Sequence, residues 1–248
     1  MTVILLRHGR STANTGHVLA GRTAGVELDE RGRGQARDVV TRLADVRIDA
    51  IVRSPLVRCE QTVGPLAAER GLEVGVDERL IEVDYGSWTG RTIGELVKEP
   101  LWRVVQDHPS AAIFPEGEGL AAVQARAVAA VREIDARLRE RLEREPVWVA
   151  CSHGDVIKAL IADALGTHLD SFQRIVADPA SMSVLRYTAT RPFVLGMNLQ
   201  GGELPSALRT PEKPPAGVDI ATLPDPPEHP PAPAVEVPEG DAVPGGGR

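Results

Sequence analysis

The sequence predicts an α/β fold of three layers, a mostly parallel central sheet flanked by helices, and three observations carry that prediction. Short apolar runs recur at strand length without the polar alternation of a half-exposed strand. The two most apolar of these, near residues 3 and 147, each break into a polar corner built on histidine and glycine. A long stretch then places apolar residues at steps of three and four, the spacing of a helix with one buried stripe.

The elements follow in order. Val3-Ile4-Leu5-Leu6 reads as a strand covered on both faces, and residues 32–46 as a helix. Asp49-Ala50-Ile51-Val52 is a second short strand. Ser54-Pro55 behind it reads as a helix start, serine as N-cap and proline at the first helical position, which puts Arg58 about one turn into that helix. Residues 119–144 form the long helix, its stripe running through Leu120, Val123, Ala127, Val131, Ile134, Leu138 and Leu142. Val147 to Cys151 is the next buried strand. After the corner Ser152-His153-Gly154-Asp155, a helical run from Val156 to Leu165 ends at Gly166 as C-cap. Ser183-Val184-Leu185 and Phe193-Val194-Leu195 predict a closing hairpin at a sheet edge.

Chemistry gathers at the strand exits. In open α/β sheets ligands bind beyond the carboxyl ends of the strands. Arg7 and His8 stand at one such end, with Gly9 allowing a sharp turn and close approach of the backbone. Arg58 lies near a helix start, whose free N–H groups favour anions, and His153 occupies the same kind of corner as His8. These side chains converge only if the three strands share one sheet. Guanidinium forks match phosphate oxygens, so the ligand class they suggest is a phosphate.

Four motifs resemble those of the histidine phosphatase superfamily, the phosphoglycerate mutase-like group. They are Leu5-Leu6-Arg7-His8-Gly9-Arg10-Ser11-Thr12-Ala13-Asn14, Ser54-Pro55-Leu56-Val57-Arg58-Cys59-Glu60-Gln61-Thr62, Glu82-Val83-Asp84-Tyr85-Gly86-Ser87-Trp88-Thr89-Gly90, and Ser152-His153-Gly154-Asp155. The resemblance implies that His8 is the nucleophile that becomes a phosphohistidine. It further implies that Arg7, Arg58 and His153 surround the phosphoryl oxygens, that Asn14 adds an amide, and that Glu82 protonates the leaving alcohol. That chemistry needs a neutral His8 with one nitrogen fixed by an acceptor, and a Glu82 whose pKa is raised by burial. It calls for no metal and no cofactor.

Composition agrees and excludes other classes. The chain has 248 residues and a formal net charge of −7 with no lysine-rich patch, which argues against nucleic-acid binding. No apolar stretch reaches membrane-spanning length and the start lacks a signal-peptide pattern, so a soluble cytoplasmic protein is expected. Cys59 and Cys151 read as buried packing residues, since two cysteines give neither a zinc pattern nor a disulfide framework. Residues 1–204 are expected to form the catalytic domain. Residues 205–248 hold 12 of the 20 prolines and no aromatic residue, the composition of a disordered, acidic, Pro-rich tail.

Three functions stay open at this stage. A phosphomonoesterase is favoured over a phosphoglycerate mutase, because Glu82 and His153 are only 71 residues apart and the long helix fills much of that interval. Residues 91–118 remain for a short cap, with Arg91, Lys98 and Arg103 beside Trp102, Ile113 and Phe114. A non-catalytic phospho-ligand-binding protein is the third, disfavoured because a binder needs no acid. The implied partner is a small-molecule phosphate ester, and a homodimer is compatible with the sequence. Arg10 and Thr89 depart from the family pattern, which commonly has glutamate or glutamine at the first and glutamate at the second. Arg10 is expected to favour substrates with a second anionic group, and Ser11, Gly21 and Arg22 are further candidates for substrate choice.

Overall fold

The computed structural model describes residues 1–142 and 144–201. The domain boundary at residue 204 and the Pro-rich tail lie outside the described residues.

The first strand, β1 (Thr2–Arg7), runs through the middle of the molecule. After the short helix α1 (Thr12–Thr15) and α2 (Glu30–Arg42) comes β2 (Ala50–Arg53), then α3 (Val57–Arg70) and the short edge strand β3 (Val74–Val76). The cap contains α4 (Ile93–Leu96) and α5 (Pro100–Asp107). The long helix α6 (Leu120–Leu142) leads to β4 (Val147–Ser152), α7 (Gly154–Leu165), β5 (Met182–Tyr187) and β6 (Pro192–Leu199).

The six strands lie in the order β3-β2-β4-β1-β5-β6. β1, β2, β3 and β4 pair in parallel, and β5 runs antiparallel to both its neighbours, so one strand of six is reversed. The unbroken apolar runs explain themselves in this sheet. Val3 and Leu5 of β1 join one core layer with Trp148 and Ala150 of β4, while Ile4 and Leu6 join the other with Val149 and Cys151. A strand with helices on both sides has no solvent face, and alternation disappears. The α6 stripe behaves as its spacing predicts: Leu120, Val123, Ala127 and Val131 are buried, and Ile134 and Leu138 pack against the same core.

Two predicted starts shift. The helix expected over residues 32–46 begins at Glu30, because Asp29 caps it, its Oδ1 accepting from the Gly32 N–H at 2.7 Å. Ser54 does not cap α3. That helix starts at Val57 behind Leu56 with no side-chain cap, so Arg58 is its second residue, and the Ser54 hydroxyl is engaged by His153 instead.

Gly9 also serves packing within the fold. A Cβ on Gly9 would lie 2.8 Å from the Gly32 carbonyl oxygen, and a Cβ on Gly32 would lie 2.0 Å from that of Arg10. The two glycines let the loop after β1 lie directly on the first turn of α2. A contrast between two glycines of one helix follows. Gly34→Ala, whose new methyl meets only the far end of Arg37 at 3.8 Å, raises stability by roughly 0.5–1 kcal/mol through helix propensity. Gly32→Ala, in the first turn of the same helix and jammed against the Arg10 backbone, lowers it by roughly 1–3 kcal/mol. Thermal melts of both variants check the opposite signs.

Candidate active site

The carboxyl ends of β1, β2 and β4 open into a cleft of about 520 Å³ lined by Arg7, His8, Asn14, Arg58, Glu82 and Gly154, among others. Pairing of Arg7 with Ser152 in the β1–β4 ladder brings the next residues, His8 and His153, side by side with ring centroids 5.2 Å apart.

His8 is buried, and its Nδ1 lies 2.7 Å from the Gly9 carbonyl oxygen. A carbonyl only accepts, so Nδ1 carries the proton and Nε2 keeps a free lone pair. Burial, with Arg58 and Arg7 close by, holds the imidazole well below its usual pKa, and the ring is neutral at pH 7. This is the acceptor that the sequence alone left unidentified.

The two arginines offer unspent donors. Arg7 Nη1 donates to the Ala177 carbonyl at 2.6 Å and Arg58 Nη2 to that of Gly21 at 2.8 Å. Arg7 Nε and Arg58 Nη1 are buried without a partner among the described residues. Such N–H groups are costly to leave bare, and an anion oxygen satisfies them. Gly154 gives Arg7 its place: a Cβ there would sit 3.3 Å from the guanidinium carbon. Thr62 ties the two halves together by accepting from the Gly9 N–H at 2.9 Å and donating to the Arg58 carbonyl at 2.6 Å.

His153 is fully buried with both nitrogens engaged. Nδ1 accepts from Arg58 Nη2 at 3.2 Å and Nε2 donates to Ser54 Oγ at 2.7 Å, the pattern of a neutral ring. Burial and the neighbouring Arg58 hold its pKa well below the usual value. Cys59 and Cys151 are buried free thiols, as expected, and the Cys59 sulfur lies 3.6 Å from His153 Nε2.

Glu82 sits at the cleft floor, where burial first and the charge of Asp155 second push its pKa up to about 7. The Val83 N–H, Arg58 and Arg7 oppose the rise without cancelling it. Two arginines fix its main chain: Arg22 Nε donates to the Glu82 carbonyl at 3.0 Å and Arg126 Nη2 at 3.2 Å. Tyr85 Oη donates to Asp155 Oδ2 at 2.7 Å, and Lys158 Nζ lies 3.6 Å from Asp155 Oδ1.

Of the other candidates, Asn14, Ser11 and Gly21 line the cleft and Arg10 and Arg22 do not. Asn14 Oδ1 accepts from the Ser11 N–H and hydroxyl, each at 3.0 Å, which leaves its amide N–H groups for a ligand. Arg10 turns to Asp29, Nε to Oδ2 at 2.6 Å, so the extra charge expected near the pocket is neutralised outside it. Arg22 pairs with Glu118 at 2.7 Å. Sequence reading assigned no role to Thr62, Tyr85 or Asp155, although all three stand inside the four motifs. Arg126 had no signal, being one of many arginines on a long helix. No cluster of three or more His, Cys, Asp or Glu side chains able to hold a metal occurs among the described residues.

The chain belongs to the histidine phosphatase superfamily, branch 1, whose family model matches residues 3–200. Its fold is phosphoglycerate mutase-like, and phosphatases stand among the relatives and solved structures that it resembles. It is 32% identical to phosphoserine phosphatase 1 of Hydrogenobacter thermophilus over 79% of this chain and 92% of that one. It is 30% identical to a probable phosphoglycerate mutase, GpmB, of Yersinia pestis, over 75% and 85%. The solved mycobacterial glucosyl-3-phosphoglycerate phosphatase superposes with a TM-score of 0.72 at 30% identity, covering 80% of this chain and 98% of that one. No helix among the described residues is long and apolar enough to cross a membrane.

The burial of Glu82 has a cost that can be measured. Folding raises its pKa from 4.5 to about 7, so the folded state binds the proton more tightly. The associated stability is complete below pH 4.5 and falls as pH rises to 7, a loss of roughly 3 kcal/mol. Glu82→Gln removes that loss: denaturant titrations should find the variant more stable than the parent at pH 8, with the gap closing towards pH 4.5.

Proposed function

We propose that His8 attacks the phosphorus of a small phosphate ester, and the observation that carries this is its Nδ1–H bond to the Gly9 carbonyl, which leaves Nε2 free beside two unsatisfied arginine N–H groups. The ester's phosphoryl oxygens take the open donors of Arg7 and Arg58 and the Asn14 amide. Charge developing on those oxygens meets guanidinium groups already positioned by their bonds to the Ala177 and Gly21 carbonyls.

As the P–O bond breaks, Glu82 gives its proton to the departing alkoxide and the neutral alcohol leaves. Water then attacks the phosphohistidine, its proton passing to the Glu82 carboxylate, and inorganic phosphate is released with His8 restored. A carboxyl group with a pKa near 7 is suited to both halves of this cycle. His153 aims Arg58 through its Nδ1, which stays an acceptor because the ring is neutral. No step uses a metal ion. The catalytic domain is residues 1–204, working in the cytoplasm, with residues 205–248 as an appended segment.

Hydrolysis is favoured over mutase chemistry because the cap brings no cation to the cleft. Arg91 pairs with Glu99 at 2.6 Å, Arg103 with Asp107 at 3.3 Å, and Lys98 is exposed. Mixing the protein with a phosphoglycerate should therefore yield inorganic phosphate in excess of the isomeric phosphoglycerate; isomer as the main product would reverse the assignment.

Two further outcomes test the residue roles. With a chelator present the wild type keeps its rate, and His8→Ala neither turns over nor retains an acid-labile phosphoryl group after quenching. Phosphoenzyme formation requires protonated Glu82, so its rate falls as pH rises through about 7. In Glu82→Gln that limb disappears and the rate drops by roughly 10²–10⁴ in rapid-quench measurements.

A further inference from the structure

The charge balance of the cleft changes sign beyond its two arginines, Arg7 and Arg58. The other charged side chains lining the cleft are Glu82 with its neighbour Asp155, and Lys158 and Asp178. Lys158 is already spoken for: Nζ donates to Gln173 Oε1 at 2.8 Å, faces Asp155 at 3.6 Å, and lies 3.9 Å above the Phe172 ring. Asp178 accepts from the Asn198 and Gln200 side-chain amides at 2.8 and 2.6 Å, with no cation paired to it among the described residues. Apart from Arg7, Arg58 and Glu82 the lining thus holds two carboxylates against one committed ammonium, and the cap arginines Arg91 and Arg103 are not part of it. A second anionic group on a substrate would be repelled where it would have to sit.

The rest of the lining sets His17, Gln106 and Gln173 beside an apolar side. Leu19, Ile93, Trp102, Val105, Phe114 and Ile175 line it, with Val176 exposed at the rim. Trp102 is held flat by Trp88, ring centroids 6.3 Å apart and planes 25° from parallel, and Trp88 in turn meets Phe114 edge-on at 5.3 Å. The Gln173 side-chain amide donates to the Val105 carbonyl at 3.0 Å and ties this wall to the body of the protein. An aromatic surface fixed before the ligand arrives costs little ordering entropy to use.

We infer that the outer cleft receives the alcohol part of the ester, and that this part is uncharged with an apolar or aromatic face lying on Trp102. Esters with a second anion are poor substrates. This rests on the hydrolase reading and narrows it to a substrate class.

The test compares kcat/KM for 2-phenylethyl phosphate, ethyl phosphate, O-phosphoserine and 3-phosphoglycerate, the first two having leaving alcohols of similar acidity. The phenylethyl ester should exceed the ethyl ester by about tenfold or more, and 3-phosphoglycerate should fall below the ethyl ester. Trp102→Ala, with Trp102→Leu as the gentler replacement, should bring the phenylethyl-to-ethyl ratio towards one. The ratio is independent of the folded fraction. Asp178→Asn should raise 3-phosphoglycerate relative to ethyl phosphate several-fold. Equal constants for the two esters of uncharged alcohols, or preference for phosphoserine or 3-phosphoglycerate over both, overturns the inference while leaving the hydrolase standing. Absence of His8-dependent phosphate release from all four removes the hydrolase reading and the inference with it.

Discussion

Everything in the site depends on the parallel pairing of β1 with β4. The ladder sets Arg7 opposite Ser152, and the His8 N–H extends it by donating to the Ser152 carbonyl at 3.0 Å. Side chains alternate between the two sheet faces, so a slip of one residue would send Arg7 and every neighbour to the wrong layer. The two core layers forbid that slip, because Ile4 and Leu6 fill one and Val3 and Leu5 the other. Packing on both faces therefore acts as the ruler for the catalytic geometry.

Desolvation is the second organising force. The same burial that keeps His8 neutral lifts Glu82 to a pKa of about 7, so that a large fraction still carries the proton the first chemical step needs at neutral pH. Arg7 and Arg58 would by themselves push Glu82 towards ionisation, and Asp155 counters them. The site holds two cations with open donors, a neutral nucleophile and an acid poised between its two states, a combination that full solvent access would destroy. An arriving dianion completes the electrostatic balance instead of disturbing it.

Much of this was legible in the sequence, for physical reasons that differ by residue. Unbroken apolar runs report central strands directly, and the strand ends then locate Arg7, His8 and His153 without further information. The α6 stripe was equally readable, since its period is set by the core it faces. Ser54 misled because a Ser-Pro pair has a local meaning as a helix start, and a buried histidine 99 residues away overrides it. Arg10 misled for a similar reason: proximity in sequence to His8 says nothing about direction, and Asp29 turns it outward. The short strand β3 carries too little apolar content to be seen, its residues being half-exposed or exposed at the sheet edge. Roles that come from long-range partners, such as Arg126 on the Glu82 carbonyl or Lys158 with Gln173, have no local signature at all.

The hydrogen bond from His8 to the Gly9 carbonyl places the control of the nucleophile in the main chain. No substitution at another position can delete that acceptor, whereas an orienting aspartate could be lost in a single step. The chemistry is consequently insulated from drift, and the cap and outer walls are free to vary around it. A protein built this way can change its clientele over evolutionary time without renegotiating its reaction.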